Sequence, residues 1–369
     1  MRIAGFVLLI LLMLAAGPAG AGSFEKKLET FDNQLFELRK AKKISGLTAG
    51  IVKDRKLVWS SGYGFADADQ IIPVTADTPY WIASVTKTFV GLVFLQLEEE
   101  GKVNLSDRIN DVPDWTDFCS WLSSSGIPFG RDLHCDAPIT IDNILHHASN
   151  GTPGTRFYYN PILFSRLSRY LEHKLGKSVE EVEGRQNSLA QAVDAKILKK
   201  AGMQRSMSSM WQREKCEVFF DMAQGMGLSA DGKLIKRPLP DRELAGGAGV
   251  VSTIADLARY DIALDSGILA SAAVMTRLFT PGTTVDGKSL PYSYGWFVQD
   301  YRGLRLYWHS GWDPEAGYSA LLLKVPQRKL TLILLANGEG LWWNNPPDAA
   351  MVEQSPIARE FLDLFAPED

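Results

Sequence analysis

Residues 318–336 read YSALLLKVPQRKLTLILLA, two apolar runs separated by a polar break. The runs Tyr318–Val325 and Leu330–Ala336 have the length and composition of β-strands. The four residues Pro326-Gln327-Arg328-Lys329 between them are typical of a turn. This stretch therefore predicts a pair of strands joined by a tight turn.

Similar β-rich runs occur near both ends of the chain, and helical sequence lies between them. They are Leu47–Lys53, Lys56–Ser61, Ser293–Val298 and Leu304–His309. Asp54-Arg55 links the first two as a hairpin. The arrangement predicts an α+β fold, with a mostly antiparallel sheet from the chain termini, flanking helices and an inserted helical lobe. We expect the sheet in residues 22–64 and 291–369, and the helical lobe in about 65–290.

Three helices have clear boundaries in the sequence. Apolar residues recur every three or four positions from Phe24 to Leu38, which predicts an amphipathic N-terminal helix. A second helix is expected to begin at Thr253 and to end near Asp265. A third is expected to begin after Pro161 and to stop at Gly176.

The first residues resemble an export signal. Met1-Arg2 is followed by an almost unbroken apolar run from Ile3 to Ala16, and Ala19-Gly20-Ala21 fits the small-residue pattern of a signal peptidase site. We expect cleavage after Ala21 and a mature domain over 22–369, with retention of the segment as an N-terminal anchor as the alternative. Either way, the domain is expected outside the cytoplasm, in a periplasmic or extracellular location.

Composition suits a globular enzyme rather than a disordered chain. Apolar residues make up 46% of the chain and the formal net charge is −4, so nothing indicates a nucleic-acid partner. The five His and three Cys show no ligand spacing, and no metal or other cofactor is expected. His146 and His147 are adjacent, so a shared ligand role is not expected. An oxidising compartment permits a disulfide, for which Cys119 and Cys135 are close in sequence, with Cys216 left over.

Ser84 and Lys87 are the first candidate catalytic residues. They lie three apart at the start of a predicted helix that runs to about Glu100, which places both side chains on one face. A serine hydroxyl needs a base, and a lysine serves as one only when burial or a nearby positive charge lowers its pKa. The alternative is a serine N-cap followed by an exposed lysine.

Tyr158 and Asn160 form a second candidate group. In a Tyr-x-Asn turn, the Tyr158 phenol near the Ser/Lys pair would relay protons. The alternatives are a buried aromatic cluster over Phe157 to Tyr159 and a helix N-cap at Asn160, which precedes Pro161.

The third candidate is the segment Trp308-His309-Ser310-Gly311-Trp312, at the end of a predicted strand. A glycine on an edge strand lets a substrate backbone approach closely. The N–H of Trp312 would then join that of Ser84 as an oxyanion hole. The alternative is a strand end followed by a turn.

Ser84-Val85-Thr86-Lys87, Tyr158-Tyr159-Asn160 and His309-Ser310-Gly311 occur in the order and approximate separations of the serine β-lactamase and penicillin-recognising hydrolase superfamily. The sequence resembles its class C β-lactamase, DD-peptidase, D-aminopeptidase and esterase branch. The resemblance implies Ser84 as nucleophile and Lys87 and Tyr158 as the proton-transfer pair. It further implies Asn160, His309, Ser310, Gly311 and Trp312 as substrate-binding or oxyanion residues.

Three departures from that family's pattern bear on the substrate. Residues 114–136 form an aromatic insertion, and we expect Cys119 and Cys135 to pin it as a lid over the cleft. The connection from Gly151 to the Tyr-x-Asn loop is short. His-Ser-Gly replaces Lys-Thr-Gly, which argues against efficient β-lactam turnover and predicts that recognition of anionic substrates through His309 weakens between about pH 6 and 8.

The leading hypothesis is a serine hydrolase that acts through an acyl-enzyme on an amide or ester, in a small-molecule or peptide substrate. A D-amino-acid peptidase or carboxypeptidase and an esterase are equally favoured, ahead of a β-lactamase. The alternative class is a penicillin-binding sensor or pseudoenzyme that acylates without turnover. Trp342-Trp343 is interpreted as packing rather than as a sugar platform.

Overall fold

The computed structural model describes residues 21–178, 181, 185–240 and 243–367. The predicted signal segment, residues 1–21, lies outside this part of the chain except for Ala21. Among the described helices, none is both long and apolar enough to cross a membrane.

The strands lie near the two ends of the described chain and in short ribbons between them. They are β1 (Gly46–Lys53), β2 (Lys56–Gly64), β3 (Tyr80–Trp81), β4 (Met226–Leu228), β5 (Leu234–Lys236), β6 (Val251–Ser252), β7 (Tyr292–Ser293), β8 (Trp296–Tyr301), β9 (Leu304–Asp313), β10 (Tyr318–Val325) and β11 (Leu330–Ala336).

Seven of these strands form one antiparallel sheet in the order β2-β1-β11-β10-β9-β8-β7. Strand β1 pairs with β11 from Leu47 opposite Ala336 to Lys53 opposite Leu330, so the N-terminal hairpin is joined to the C-terminal strands. Asp54 and Arg55 both adopt positive φ at the hairpin turn, the backbone that two-residue hairpins favour. The predicted fold class, an antiparallel sheet from the chain ends with helices, is confirmed.

One predicted strand is divided and another is longer than expected. The run Ser293–Val298 is broken where Tyr294 and Gly295 turn with φ of 37° and 95°, so β7 and β8 pair with each other as a hairpin. Strand β9 continues past His309 to Asp313 because it keeps its pairing with β10 over that length. The segment Ser310–Asp313 is thus regular strand rather than a loop.

The helices lie mostly between β2 and β7, with one at each end of the described chain. They are α1 (Ala21–Ala41), α2 (Thr86–Glu99), α3 (Trp115–Ser124), α4 (Ile141–Leu145), α5 (Pro161–Phe164), α6 (Leu167–Lys174), α7 (Ser188–Val193), α8 (Cys216–Phe220), α9 (Ile254–Asp265), α10 (Ala272–Leu278) and α11 (Pro356–Phe365).

Two of the three helix predictions are confirmed and one is corrected. Phe31 of α1 is fully buried, and its ring lies 5.8 Å from that of Phe361 on α11. The Thr253 side chain caps α9 by accepting from the Asp256 N–H. The third helix is not continuous, because α5 ends at Phe164 and α6 begins at Leu167.

A buried ion pair joins α9 to the sheet. Lys324 on β10 donates to Asp261 on α9, and the two side chains are 4% and 1% exposed. Thr331 donates to the same carboxylate over 2.9 Å, and Asp265 lies 3.0 Å from the Lys324 ammonium. Burial raises the pKa of the Asp261 carboxyl, while the two carboxylates raise the pKa of Lys324 despite its own burial. Each charge therefore depends on its partner.

Replacing Lys324 by Met is expected to lower the free energy of unfolding by about 3–5 kcal/mol, because it leaves Asp261 buried without its cation. Chemical denaturation with two probes measures this. Lys329→Met is the matched control, since the Lys329 side chain is 75% exposed. Equal effects of the two substitutions would contradict a structural role for the pair.

Candidate active site

Ser84 lies in a short 3₁₀ turn, Ala83–Val85, between β3 and α2. Strand β3 pairs with β6, and the Ile82 N–H donates to the Val250 carbonyl over 3.1 Å, so these contacts fix the position of the turn. Ala83 adopts φ of 46°, a left-handed conformation that alanine rarely takes. Ala83 and Val85 are buried, whereas Ser84 is partly exposed. The backbone therefore presents this hydroxyl to solvent.

Lys87 is fully buried beneath Ser84. Its Nζ lies 2.8 Å from the Ser84 Oγ and donates to the Gly247 carbonyl over 2.7 Å. The rings of Tyr159 and Phe164 lie 5.2 and 5.5 Å from this nitrogen. No carboxylate among the described residues pairs with it. Burial holds the pKa of the Lys87 ammonium well below its usual value, which suits a proton acceptor.

Of the two adjacent tyrosines, Tyr159 contacts the Ser/Lys pair and Tyr158 does not. The Tyr158 hydroxyl donates to the Pro128 carbonyl over 3.0 Å. The Tyr159 ring instead lies 5.2 Å from Lys87 Nζ, its hydroxyl lies close to Ser84, and burial raises the pKa of its phenol. This geometry does not support the expected proton-transfer role of Tyr158. The two neighbours point in different directions, and the loop turns the second one inward.

Asn160 is positioned to hold the loop rather than a substrate. It is 1% exposed and caps α5 through its Oδ1, which accepts from the Leu163 N–H. Its Nδ2 donates to the Phe129 carbonyl and to Asn150 Oδ1. It does not line the cleft described below, so the expected substrate contact is not supported and the helix-cap alternative fits.

His147 packs behind Tyr159 at the end of this loop. Its Nδ1 accepts from the Asn160 N–H over 3.0 Å, and its ring centroid lies 4.4 Å from that of Tyr159. Burial, followed by repulsion from Lys87, lowers the pKa of His147 well below its usual value. A neutral imidazole thus supports the tyrosine without adding charge.

His309 on β9 is buried and points away from solvent. Its Nδ1 donates to the Ser310 carbonyl over 2.7 Å, so its Nε2 accepts from the Tyr292 hydroxyl at 2.9 Å. Burial and the nearby Lys87 hold the pKa of His309 well below 6.5. The lowered pKa favours the neutral imidazole, and the side chain is only 1% exposed. The geometry therefore does not support its expected role as a pH-dependent carboxylate partner.

The rest of this strand passes directly beside the Ser84 turn. A Cβ on Gly311 would lie 2.3 Å from the Ile82 carbonyl oxygen, so only glycine allows this approach. Ser310 lines the open side of the strand together with Trp312, which is 40% exposed. The structure thus brings Ser84, Ser310, Gly311 and Trp312 together as expected.

The sequence pattern that describes the β-lactamase family matches residues 31–350. The chain belongs to this family. It is 24% identical to a D-aminopeptidase from Brucella anthropi over 314 residues, which cover 80% of this chain. Those residues cover 56% of the relative, so the chain spans little more than half of that protein's length.

Solved structures of low sequence identity share the fold. A penicillin-binding protein homologue from Pyrococcus abyssi superposes with a TM-score of 0.71 at 23% identity, covering 93% of this chain and 78% of that one. A D-alanine carboxypeptidase from Burkholderia cenocepacia gives 0.63 at 20% identity, covering 91% and 99%. At these identities the likeness establishes the β-lactamase fold alone.

In this member of the β-lactamase family, Ser84 opens into a cleft of about 1070 Å³. Its walls are largely apolar and carry several aromatic rings. They include Phe118, Trp121, Phe129, Tyr158, Tyr159, Ile162, Phe297, Trp312, Pro314, Trp342, Pro346 and Pro347. Such a lining favours an apolar substrate. Among the described residues, no group of His, Cys, Asp and Glu is arranged to hold a metal ion.

The aromatic insertion forms one wall of this cleft. A disulfide joins Cys119 on α3 to Cys135, as predicted, and Cys216 is free and exposed. Phe118 and Trp121, which flank Cys119 on α3, line the cleft. The disulfide therefore closes a segment that contributes directly to the substrate-facing surface.

The same segment is bound to the loop that carries Tyr159. Asn150 donates to the carbonyls of Phe129 and Arg131 over 3.0 and 2.8 Å. Asp132 pairs with Arg156 at 2.7 Å, and its carbonyl accepts from Gly151 at 2.6 Å. Residues 129–132 thus fix the position of the tyrosine loop, and the disulfide stabilises the segment to which they belong.

Removing the disulfide through the double substitution Cys119→Ser and Cys135→Ser is expected to lower kcat about tenfold. The tyrosine loop would lose its fixed support, and the chain would also lose roughly 3 kcal/mol of stability. Ester hydrolysis measured well below the melting temperature separates the two effects. Cys216→Ser is the control, because this thiol is free. A kcat unchanged from wild type would show that the segment does not position the loop.

Several site residues were not singled out from the sequence. Gly247 supplies the carbonyl that binds Lys87, and a Cβ there would lie 2.5 Å from Ser165 Oγ. Its place in a Gly-Gly pair was the available signal. Tyr159 was overlooked because its neighbour Tyr158 fits the Tyr-x-Asn pattern. Trp342, interpreted from the sequence as packing, does pack against Trp343 and also lines the cleft, from a loop after β11.

Proposed function

We propose that this protein is a serine hydrolase that cleaves an amide or ester through an acyl-enzyme on Ser84. The observation that carries the proposal is the 2.8 Å contact between Ser84 Oγ and the buried, weakly basic Lys87 Nζ. A nucleophile beside a base of lowered pKa at the floor of an apolar cleft is the arrangement that acyl transfer requires.

In the proposed mechanism, the neutral Lys87 amine takes the Ser84 proton as Oγ attacks the substrate carbonyl carbon. The backbone N–H groups of Ser84 and Trp312 stabilise the resulting oxyanion, a role supported by the close passage of β9 past the turn. The Lys87 proton then reaches the leaving alkoxide or amine through the Tyr159 hydroxyl as the substrate bond breaks. Water, deprotonated in the same way, releases the acid and restores Ser84.

We assign the base to Lys87 and the relay to Tyr159. Burial lowers the pKa of the Lys87 amine and raises that of the Tyr159 phenol, because in each case burial disfavours the charged form. Lys87 therefore reaches its neutral, basic form easily, while Tyr159 remains a phenol that donates and accepts one proton at a time.

Because Lys87 acts as a base only when it is deprotonated, this assignment predicts that the reaction rate depends on pH. The value of kcat/KM for a neutral ester is expected to fall as pH falls through the lowered pKa, and to be level above it. The plateau should begin well below pH 10.5, the ordinary value for lysine. Stopped-flow or steady-state rates over about pH 5 to 10 measure this. A rise that continues to the ordinary lysine pKa would contradict the assignment.

Peptidase and esterase activities are favoured over β-lactam turnover. The D-aminopeptidase and the D-alanine carboxypeptidase similar to this chain act on D-amino-acid substrates by name. The apolar cleft favours an ester equally well. The strand cation that would hold a β-lactam carboxylate is replaced by a buried neutral His309.

The deciding experiment treats the purified protein with a fluorescent penicillin, a p-nitrophenyl ester and a D-Ala-D-Ala peptide, and follows intact mass. Turnover of the ester or peptide with a transient acyl adduct on Ser84 supports the proposal. A stable penicillin adduct without turnover of any substrate would instead identify a penicillin-binding sensor. Absence of both an adduct and turnover with every substrate would contradict both.

We also propose that the protein is exported. The disulfide Cys119–Cys135 needs an oxidising compartment, and the first residues resemble a signal. N-terminal sequencing of the protein from the periplasmic or extracellular fraction should begin at Gly22. Recovery with Met1 retained in a membrane fraction would indicate an anchor instead.

A further inference from the structure

We infer that the cleft selects uncharged acyl donors whose acyl chain carries a flat apolar ring, seated on the stacked pair Trp312 and Trp342. The inference deepens the proposed function and rests on it. It assigns Trp312 as a residue that determines specificity, in addition to the oxyanion role of its backbone N–H.

Trp312 and Trp342 form a ready-made flat surface inside the cleft. Their ring centroids are 5.3 Å apart and their planes differ by 10°. Trp342 is itself held by Trp343, whose indole N–H donates to the Met351 carbonyl over 3.1 Å. Trp312 nevertheless remains 40% exposed. A large indole left half-exposed over a rigid partner is suited to stacking against a ligand ring.

This surface lies next to the reacting carbonyl. Trp312 directly follows Gly311, which touches the Ser84 turn, and its N–H is the proposed oxyanion donor. The substituent on the carbonyl carbon therefore starts within one residue of the Trp312 ring. Trp121, 53% exposed, lines the same cleft from the disulfide-closed segment, which provides a second aromatic surface.

The charges around the cleft do not suit an anionic acyl group. Lys87 has a lowered pKa and is buried below Ser84, and His309 is neutral and buried. Arg156 pairs with Asp132 outside the cleft lining. Arg166 lines the cleft but is neutralised by Asp114.

Arg169 is a further cation in the cleft lining, and it forms no ion pair within the described ranges. It is therefore the candidate for binding a substrate carboxylate. Arg169 is the residue whose substitution distinguishes an anion site from the apolar site inferred here.

The test compares kcat/KM for p-nitrophenyl butyrate, phenylpropionate and hemisuccinate, which share one leaving group and differ only in the acyl chain. We expect phenylpropionate to exceed butyrate about tenfold or more, and hemisuccinate to fall below butyrate about fivefold or more. Trp312→Ala should reduce the phenylpropionate-to-butyrate ratio about tenfold. Phe220→Ala, an exposed aromatic outside the cleft lining, is the matched control and should leave the ratio unchanged.

Fluorophosphonate labelling of Ser84 distinguishes a failure of this inference from a failure of the proposed function. Labelled, active enzyme with a ratio near one, or a ratio that Trp312→Ala leaves intact, overturns this inference and leaves the proposed function standing. A preference for hemisuccinate that disappears in Arg169→Ala also overturns it. Unlabelled Ser84 with no turnover of any ester overturns the proposed function and the inference together.

Discussion

Replacing Ser84 by Ala is expected to reduce ester or peptide turnover by about 10³-fold or more, because no other group takes over the covalent step. The hydroxyl lies at the cleft floor, 2.8 Å from Lys87 Nζ, and is partly exposed while its neighbours are buried. Steady-state rates and intact mass after fluorophosphonate treatment provide the measurement.

The matched control for this substitution is Ser60→Ala on the edge strand β2, where the serine is exposed and distant in sequence. It should retain wild-type rates and wild-type labelling. Full activity in Ser84→Ala, or a fluorophosphonate adduct on a different serine, would show that the nucleophile has been placed wrongly.

Tyr159→Phe is expected to lower kcat by about 10²-fold or more with little change in KM, since general acid–base groups contribute 10²–10⁴-fold in comparable steps. The substitution keeps the ring that packs against Lys87 and His147 and removes only the hydroxyl that lies close to Ser84. Pre-steady-state release of p-nitrophenol locates the affected step.

Tyr158→Phe is the control built into the chain. It removes an equivalent hydroxyl one residue away, where the partner is the Pro128 carbonyl. We expect its kcat to stay within about threefold of wild type. A large loss in Tyr158→Phe together with a small one in Tyr159→Phe would restore the role that the sequence pattern first indicated for Tyr158.

The sheet was predictable because its strands are long apolar runs between strong turn signals. Strands β10 and β11 are buried along their whole length, so their apolar pattern is continuous and their ends are sharp. The break in the strand at Tyr294 was not predictable, because a non-glycine residue there takes a positive φ and the neighbouring sequence does not indicate it. The extension of β9 depends on pairing with β10, which is a tertiary effect.

The contact between Ser84 and Lys87 was predictable because the 3₁₀ turn that carries Ser84 leads directly into α2, so residues three apart lie on one face. The choice between Tyr158 and Tyr159 was not predictable. Adjacent residues in an irregular loop face different sides, and only packing determines which one enters the site. The same limit applies to His309. The strand pattern predicts where His309 lies along the strand. Its burial against Tyr292 depends on the β7–β8 hairpin, which the sequence did not predict.

The pairing of β1 with β11 also governs when the sheet can form. Thr48 donates to the Leu335 carbonyl across a sequence separation of 287 residues. Contacts of such separation require a large loss of chain entropy before they add stability, and they slow folding. A growing polypeptide cannot complete this sheet until residues near Ala336 have been synthesised. The complete sheet therefore forms only after most of the chain has been synthesised, a delay that is compatible with the export proposed above.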